Sequence, residues 1–453
     1  MLTILFLVVG LIGILSSQTY VTPGEGTLSQ AISEAQDGDV LLLASGTEYT
    51  ETASSKLGTL INKNLTLASD SEEKAVIRML KDDLTSDSAG VFFRMGDQSS
   101  LSLNNLEFDG NAKIKYFVSY YMPVAETMTQ VKKIHIENCY IHDVTGDVMH
   151  GEKSTGLAGY MVFDSTVINN SVFHRTGPVV HYKQAGSDFI SVTNSTIADV
   201  STYGFRACGY DAQEGSSLPD HTPKVVIDHT TWYNIGTTDA REIILGEKGP
   251  ILRPWTITNS IFAKQCATGN TKVFINIKDK TTSGESNMGT IKNICFWEID
   301  KIAFYMHTVR DTIRMDPQFA DTTNYDFTLP VGSPLLTFDL DGKPIGDPRW
   351  GTNYVKVVEQ RNIGLPSTLS LAPIYPNPFN PTTTLAFNLP ASGEAKLTVY
   401  DLRGNEVAVV MNKNLPAGEY RYTFNGSHLL SGVYFCRLTA LGQTSTRKMV
   451  LLK

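Results

Sequence analysis

Lys183 and Arg206 are the two residues whose types and spacing most directly suggest chemistry on an anionic substrate. They lie 23 residues apart, at matching points of two strand-like segments, VVHYKQ and YGFRACG. In a stacked fold with turns of about that length, matching residues lie roughly 5 Å apart along the stack. Two neighbouring cations repel each other unless an anion lies between them. The pair therefore predicts a site for an acidic substrate.

One chemistry open to such a pair is proton removal beside a carboxylate. An elimination of this kind needs a base, a proton donor for the leaving oxygen and a group that neutralises the carboxylate. Lys183 is the predicted base. Arg206 is predicted to hold the carboxylate or to protonate the leaving oxygen, and His181 is predicted to share the neutralisation.

Further candidates follow from the period-two alternation of strand side chains. That alternation predicts that Tyr182 points into the core and that the charged residues nearby share one outer surface. Either Arg241 or Glu242 is expected to join them from the next turn. Tyrosines beside Arg206 could stack on sugar rings. The candidates for substrate binding on this surface are His181, Tyr203, Tyr210, Asp164 and Glu242.

A repeat must position these residues, and it is visible as β-branched runs with a central polar residue. The runs are LSLNNLEF, IHIENCYI, TVINNSVF, ISVTNSTI, VVIDHTTW, WTITNSIF and GTIKNICF. Their central residues are Asn105, Asn138, Asn170, Asn194, His229, Asn259 and Asn293. The steps of 33, 32, 24, 35, 30 and 34 residues predict a stacked β architecture whose loops differ in length. The asparagines predict an amide ladder at a corner.

A second series of strands precedes these runs and should stack into another sheet. Its members are KYFVSYY, GYMVFDS, VVHYKQ, YGFRACG, REIILGE, VFINIKD and IAFYMHT. The whole pattern predicts an all-β chain built on a right-handed parallel β-helix, because a propeller or a sandwich would need hairpin turns between the strands. An amphipathic helix, TLSQAISEAQ, is predicted to close its first turn with Thr27 as the N-cap.

Composition excludes several classes of protein. Hydrophobic residues make up 42% and charged residues 19% of the 453 residues, which is typical of a globular chain. A net charge of −8 argues against a nucleic-acid partner. The five cysteines show no zinc-ligand spacing, so we predict no metal ligands from spacing and mostly buried thiols.

The chain divides into four predicted segments. Residues 1–18 contain an apolar run followed by small residues, which predicts a signal peptide, with no membrane span in the mature protein. Residues 19–350 form the β-helix, 351–371 a linker, and 372–453 a small immunoglobulin-like β-sandwich with strands every 8–15 residues.

The C-terminal segment resembles the type A sorting domain of the type IX secretion system. YPNPFNP, YDLRGNEV, SGVYFCRL and the basic strand RKMVLLK carry this resemblance. It implies the type IX machinery as a partner, and the extracellular space or the outer-membrane surface of a Gram-negative bacterium as the location.

The N-terminal segment TLSQAISEAQDGDVLLLASGTEY resembles the pectate-lyase-like β-helix of the chondroitinase B and alginate lyase family, polysaccharide lyase family 6. The family's catalytic pattern falls on Lys183, Asn194 and Arg206. The resemblance also implies a calcium ion held by acids just before the lysine. Here residues 175–178 are Arg-Thr-Gly-Pro, with no acid.

The resemblance implies a secreted polysaccharide lyase that acts on alginate, chondroitin, dermatan or a similar acidic polysaccharide. Two alternatives stay open. One is a non-catalytic β-helix that binds glycan or matrix at the cell surface. The other is a glycoside hydrolase, which needs two carboxylates about 5–9 Å apart. Asp164 and Glu242 are predicted to lie about three turns apart, which is too far.

Overall fold

Short β-branched strands, each ended by a turn residue with a positive φ, build most of the chain. The computed structural model describes residues 17–52, 59–80, 90–120, 128–151, 160–183, 185–207, 223–239, 242–246, 254–265, 274–277, 290–299, 309–339, 342–351, 356–359, 369–372, 374, 377–415, 418–426 and 429–452. They form two compact units, residues 1–317 with 337–347, and residues 318–336 with 348–453. No helix among these residues is long and apolar enough to cross a membrane. The predicted signal peptide lies almost wholly outside them.

In the first unit the described residues form one helix, α1 (Thr27–Glu34), and 27 strands. The strands are β1 (Gln18–Val21), β2 (Val40–Leu43), β3 (Glu48–Thr52), β4 (Thr59–Ile61), β5 (Asn64–Ser69), β6 (Ala75–Leu80), β7 (Val91–Met95), β8 (Ser100–Asn104), β9 (Leu106–Ile114), β10 (Tyr116–Tyr120), β11 (Met128–Val131), β12 (Lys133–Glu137), β13 (Tyr140–Val144), β14 (Met149–His150), β15 (Tyr160–Asn169), β16 (Val172–Thr176), β17 (Val180–Tyr182), β18 (Ala185–Thr193), β19 (Thr196–Val200), β20 (Phe205–Ala207), β21 (Lys224–Asp228), β22 (Thr231–Ile235), β23 (Ile244–Gly246), β24 (Trp255–Gln265), β25 (Ile275–Ile277), β26 (Ile291–Trp297) and β27 (Val309–Arg314).

These strands stack as a right-handed parallel β-helix, which confirms the predicted fold. An eight-stranded parallel sheet runs β4-β7-β10-β14-β17-β20-β23-β25, one strand for each turn. The other nineteen strands form one larger sheet in which every pair is also parallel. Apolar side chains from both sheets fill the interior, as in the stacked rings of Phe163 and Tyr182 with centroids 4.5 Å apart. Tyr182 is fully buried, as predicted.

The predicted asparagine corner is present, and each of its seven residues has a positive φ between 48° and 56°. Asparagine tolerates this region better than other non-glycine residues. Asn138 donates from its amide to Oδ1 of Asn105 at 2.7 Å, and Asn293 donates to Asn259 at 2.7 Å. Asn194 donates to Oδ1 of Asn169, the residue before the corner position of the preceding turn, at 2.9 Å.

A second corner lies five residues after the first in six consecutive turns, and the sequence analysis missed it. Its residues also have positive φ, between 50° and 61°. They are Asp143, Arg175, Asp199, Asn234, Lys264 and Glu298. Arg175 pairs with Asp143 at 2.6 Å across neighbouring turns, so this corner uses charged side chains where the first uses amides.

The N-terminal helix differs from the prediction at its cap. Gly26, with φ 70°, is the N-cap, and Thr27 instead donates its hydroxyl to the carbonyl of Gly24 at 3.1 Å. Glu51 Oε1 accepts hydrogen bonds from the backbone N–H groups of Leu28 and Ser29. A carboxylate from the next strand therefore satisfies the helix N-terminus, which is favourable for the helix dipole.

Of the strands predicted for the smaller sheet, one belongs to the larger sheet and another lies outside the described residues. GYMVFDS belongs to β15, which pairs with β11, β12 and β18 in the larger sheet. In the smaller sheet, β14 occupies the position between β10 and β17 that was predicted for GYMVFDS. β15 instead continues without interruption to the asparagine corner at Asn170. IAFYMHT lies outside the described residues.

A short segment near residue 346 packs across the outside of the larger sheet. Asp347 accepts a hydrogen bond from the Thr196 hydroxyl at 2.6 Å, and its backbone N–H donates to Thr231 Oγ1 at 2.9 Å. The backbone N–H of Gly346 donates to the carbonyl of Asn259. Ile261, which contacts Gly346, is buried.

The second unit contains two four-stranded antiparallel sheets, which fits the predicted small sandwich. Their orders are β28-β33-β30-β29 and β32-β31-β34-β35. The strands are β28 (Lys356–Glu359), β29 (Ser370–Leu371), β30 (Thr382–Leu389), β31 (Gly393–Tyr400), β32 (Glu406–Leu415), β33 (Gly418–Asn425), β34 (Gly432–Ala440) and β35 (Gln443–Leu451). The predicted linker 351–371 thus contributes two short strands.

Three cysteines lie among the described residues, and all are buried free thiols, as predicted. Burial raises the pKa of the Cys139 thiol to about 11 and the pKa of Cys295 and Cys436 to about 12. Cys208 and Cys266 lie outside the described residues.

Candidate functional site

The outward-facing positions of the eight-stranded sheet form one column of polar side chains. His150 pairs with His181, and His181 pairs with Arg206. The pairings of β10 extend the column to Ser119 and then to Arg94. We call these five residues the polar column. The inward partners Met149, Val180 and Phe205 are fully buried, so alternation places the column on the outside.

The predicted register of Lys183 with Arg206 is wrong. Strand pairing places His181 beside Arg206, while Lys183 lies one residue beyond the end of β17 and is partly exposed. The correct step between these turns is 25 residues. The sequence analysis matched the two cations to each other by charge, whereas the backbone pairs strands through Val180 and Phe205.

Asp147 lies just before β14 and joins the two histidines. Its Oδ2 is 2.5 Å from Nδ1 of His150 and 2.8 Å from Nδ1 of His181. Asp147 and His150 are each only 8% exposed. Burial alone would raise the pKa of Asp147, but the hydrogen bonds from His150 and His181 outweigh it and the pKa lies below its usual value. The carboxylate therefore stays ionised and fixes both rings.

The contact between His181 and Arg206 determines where the His181 proton lies. Nη1 of Arg206 is 3.4 Å from Nε2 of His181. A guanidinium only donates, so Nε2 must carry the lone pair. Nδ1 of His181, which faces Asp147, then carries a proton. Arg206 is 7% exposed, and its guanidinium lies 5.0 Å from the ring centroid of Tyr203. Tyr203 thus flanks Arg206, as predicted, and offers it a ring face.

His150 differs from His181 in its surroundings. Its Nδ1 also faces Asp147, but its ring stacks on Tyr116 with centroids 3.7 Å apart. Lys115 Nζ lies 5.2 Å from the centroid of the same tyrosine. A histidine oriented through Nδ1 by a carboxylate presents Nε2 as a proton acceptor, which is the arrangement of many general bases.

Asp147, His150 and His181 also bring three potential metal ligands together, within 4.8 Å of one another. Calcium does not fit this set, because it takes six to eight oxygen ligands and the set offers one carboxylate. A softer cation would need the lone pair of His181 Nδ1. The contact with Arg206 places a proton on that nitrogen. The arrangement is better described as a hydrogen-bonded network.

The structure separates the remaining predicted residues from this cluster or does not describe them. Asp164 lies on β15 in the larger sheet, where it accepts hydrogen bonds from Gln130 and lies 3.5 Å from Lys132. Glu242 precedes β23, and the register partner of Arg206 on that strand is Leu245. Tyr210 lies outside the described residues. Asn194 lies at the first corner, as described above.

Sequence reasoning missed Asp147, His150 and Tyr116, although a signal for the first two exists. TGDVMH at 145–150 and TGPVVH at 176–181 are matching segments of consecutive turns. Aligning them pairs the two histidines directly. The choice of GYMVFDS as the intervening strand concealed this match.

Three family models match parts of the chain. Residues 373–452 match the secretion system C-terminal sorting domain, which confirms the sorting domain predicted from YPNPFNP and the following strands. Residues 49–200 match DUF4957 and residues 225–350 match DUF5123, both domains of unknown function. No curated protein matches the chain.

Among solved structures, the chain is similar to the PL6 family alginate lyase AlyGC, with a TM-score of 0.43 and 16% identity over 66% of this chain and 37% of that one. It therefore spans little more than a third of that enzyme. It is also similar to the pectate lyase Pel9A, with a TM-score of 0.31 and 12% identity over 74% of this chain and 97% of that one. Similarity this distant carries no information about activity.

Proposed function

We propose that the β-helix unit is a secreted or surface-attached polysaccharide lyase that cleaves a uronate-containing glycan by β-elimination. The observation that carries this proposal is the Asp147–His150 pair on the same outer face as the guanidinium of Arg206. Uronate elimination requires a base and a fixed cation within reach of one sugar, and here His150 and Arg206 flank His181 on neighbouring strands.

In the proposed reaction, Nε2 of His150 takes the proton from C5 of the uronate. The C5–H electrons form the C4–C5 double bond as the bond from C4 to the glycosidic oxygen breaks. The imidazolium formed on His150 then returns a proton to the departing oxygen. Arg206 holds the uronate carboxylate, where negative charge develops. Asp147 orients His150 and stabilises its imidazolium form.

Lys183 is the rival base, as predicted from the sequence. It lies beyond the end of β17, on the same side of the strand as His181. We assign the base to His150, because Asp147 orients its ring, and retain Lys183 for substrate binding.

A non-catalytic glycan-binding protein is the second candidate. The burial of Arg206, which is 7% exposed and held against His181, favours it. In that case Arg206 stabilises the packing of neighbouring turns through its contact with His181, and glycan binds to the outer loops. The sorting domain serves either function, because both require delivery to the cell surface or beyond, here through the type IX machinery.

The test uses the full-length protein with alginate, chondroitin sulfate, dermatan sulfate and pectate. A lyase produces an unsaturated uronate, which absorbs ultraviolet light, whereas a hydrolase produces only a new reducing end. We expect absorbance to rise with at least one polymer and the rise to be lost in Arg206→Ala. Binding without absorbance for every polymer would select the non-catalytic candidate.

A further inference from the structure

We propose that Arg94 forms a second anion-binding subsite, so that an acidic glycan lies along the β-helix axis over the polar column. The inference rests on the proposed function and adds the direction and length of the bound chain. The ligand class is an extended oligosaccharide with carboxylate or sulfate groups.

Strand pairing places Arg94 in the same column as Arg206. Arg94 pairs with Ser119 on one side and with Leu60 on the other. Its neighbours in the chain, Phe93 and Met95, are fully buried. Alternation therefore directs Arg94 outward, and it is partly exposed.

The column is polar over five consecutive strands and apolar at both ends. Leu60 precedes Arg94, and Leu245 follows Arg206. Ser119, the smallest of the five residues, lies between Arg94 and His150 and is buried. A polar stripe with an arginine at each end, on a chain with net charge −8, matches an anionic ligand that crosses the strands.

The spacing sets the length of that ligand. Arg94 and Arg206 are four strands apart, or about 19 Å along the axis. An extended chain of 4-linked sugars advances by about one strand spacing for each ring. Arg94 would thus meet an anionic group about four sugars from the one held by Arg206. A guanidinium binds carboxylate or sulfate through two parallel hydrogen bonds.

The test compares Arg94→Ala with wild type on oligosaccharide size series prepared from alginate and from chondroitin sulfate. We expect kcat/KM to fall about 10-fold or more for chains of six or more sugars, the loss of one charge-assisted interaction. Trisaccharides should show no change, because they cannot span both arginines. Lys132→Ala is the matched control, since it removes an exposed cation from the larger sheet.

Each outcome separates the two proposals. Equal kcat/KM for Arg94→Ala and wild type at every length would overturn the proposed subsite. Cleavage by the wild type in the same experiment would still support the proposed lyase activity. An equal loss at every length, or the same length dependence in Lys132→Ala, would also overturn it. If wild type neither cleaves nor binds any oligosaccharide in either series, both proposals fall. Thermal unfolding of each variant shows whether it is folded.

Discussion

At the scale of single residues, one carboxylate determines the chemistry of the site. Asp147 holds Nδ1 of both His150 and His181. The two rings nevertheless differ, because Arg206 faces Nε2 of His181 alone. Nε2 of His181 thus binds Arg206, whereas within the described part of the chain no residue hydrogen-bonds Nε2 of His150, which can take part in proton transfer.

This arrangement predicts the tautomer of His181. Nitrogen-15 NMR of the native protein should show His181 protonated at Nδ1, with the lone pair on Nε2, because Arg206 cannot accept a hydrogen bond. In Asp147→Asn the preference should weaken, since the acceptor loses its charge. A His181 protonated at Nε2 in the native protein would disprove the assignment.

At the scale of structural elements, the two corners change the direction of the backbone in the turns where they occur. The first corner links turns through amides, and each of its residues has a positive φ. Asn138 shows both contributions, because it has φ 53° and donates to Asn105.

Two substitutions of Asn138 separate the contribution of its hydrogen bond from that of its positive φ. Asn138→Ala loses the hydrogen bond and places a Cβ in a disfavoured region, so we expect about 2–3 kcal/mol of destabilisation. Asn138→Gly loses the bond but tolerates the φ, so we expect about 1–2 kcal/mol. Chemical denaturation measures both. Glycine costing as much as alanine would show that the backbone conformation contributes nothing.

A pair of stacked histidines on the larger sheet gives this element its own pH dependence. His142 and His174 lie parallel with centroids 5.0 Å apart. Burial would lower the pKa of His142, but Glu107, Asp143 and Asp109 raise it above its usual value. Burial and the charges of Arg175 and His142 lower the pKa of His174 to about 3.

These shifts act on stability in opposite directions. The stabilisation from His142 is complete below its unfolded pKa and is lost as the pH rises through the folded value. Unfolded His174 binds a proton below pH 6.5, whereas folded His174 stays neutral down to about pH 3, so its contribution falls as the pH falls. At pH 5 this costs about 2 kcal/mol.

Replacing His174 therefore changes the acid response. Between pH 7 and pH 5, His174→Gln should lose about 2 kcal/mol less stability than wild type, because glutamine does not titrate. Denaturation midpoints at the two pH values measure this. Identical losses in both proteins would contradict the shifted pKa of His174.

At the scale of the whole molecule, the chain joins a parallel β-helix to a sorting domain matched at residues 373–452. Deleting residues 373–452 should leave the protein inside the outer membrane of a host with a type IX system, while the full-length chain reaches the surface or the medium. Cell fractionation with an antibody to the β-helix measures this. Export of the truncated chain would contradict the role of the domain.

The sequence was sufficient for the fold and for part of the site. The steps between Asn105 and Asn293 predicted the stack, since each turn repeats one backbone conformation. Sequence could not predict the register between Lys183 and Arg206, because loops of different length separate the turns and charge says nothing about strand pairing. Asp147 was missed for the same reason. It precedes a two-residue strand whose pattern is too short to recognise.

The most direct test of the central claim is the rate of unsaturated uronate formation by three proteins, the wild type, His150→Gln and Lys183→Gln. On the polymer that wild type cleaves, we predict a loss of about 100-fold or more for His150→Gln, as expected for removal of a general base, and a change of only a few-fold for Lys183→Gln. No product from wild type on any uronate polymer, or full activity in His150→Gln with loss in Lys183→Gln, would contradict the account.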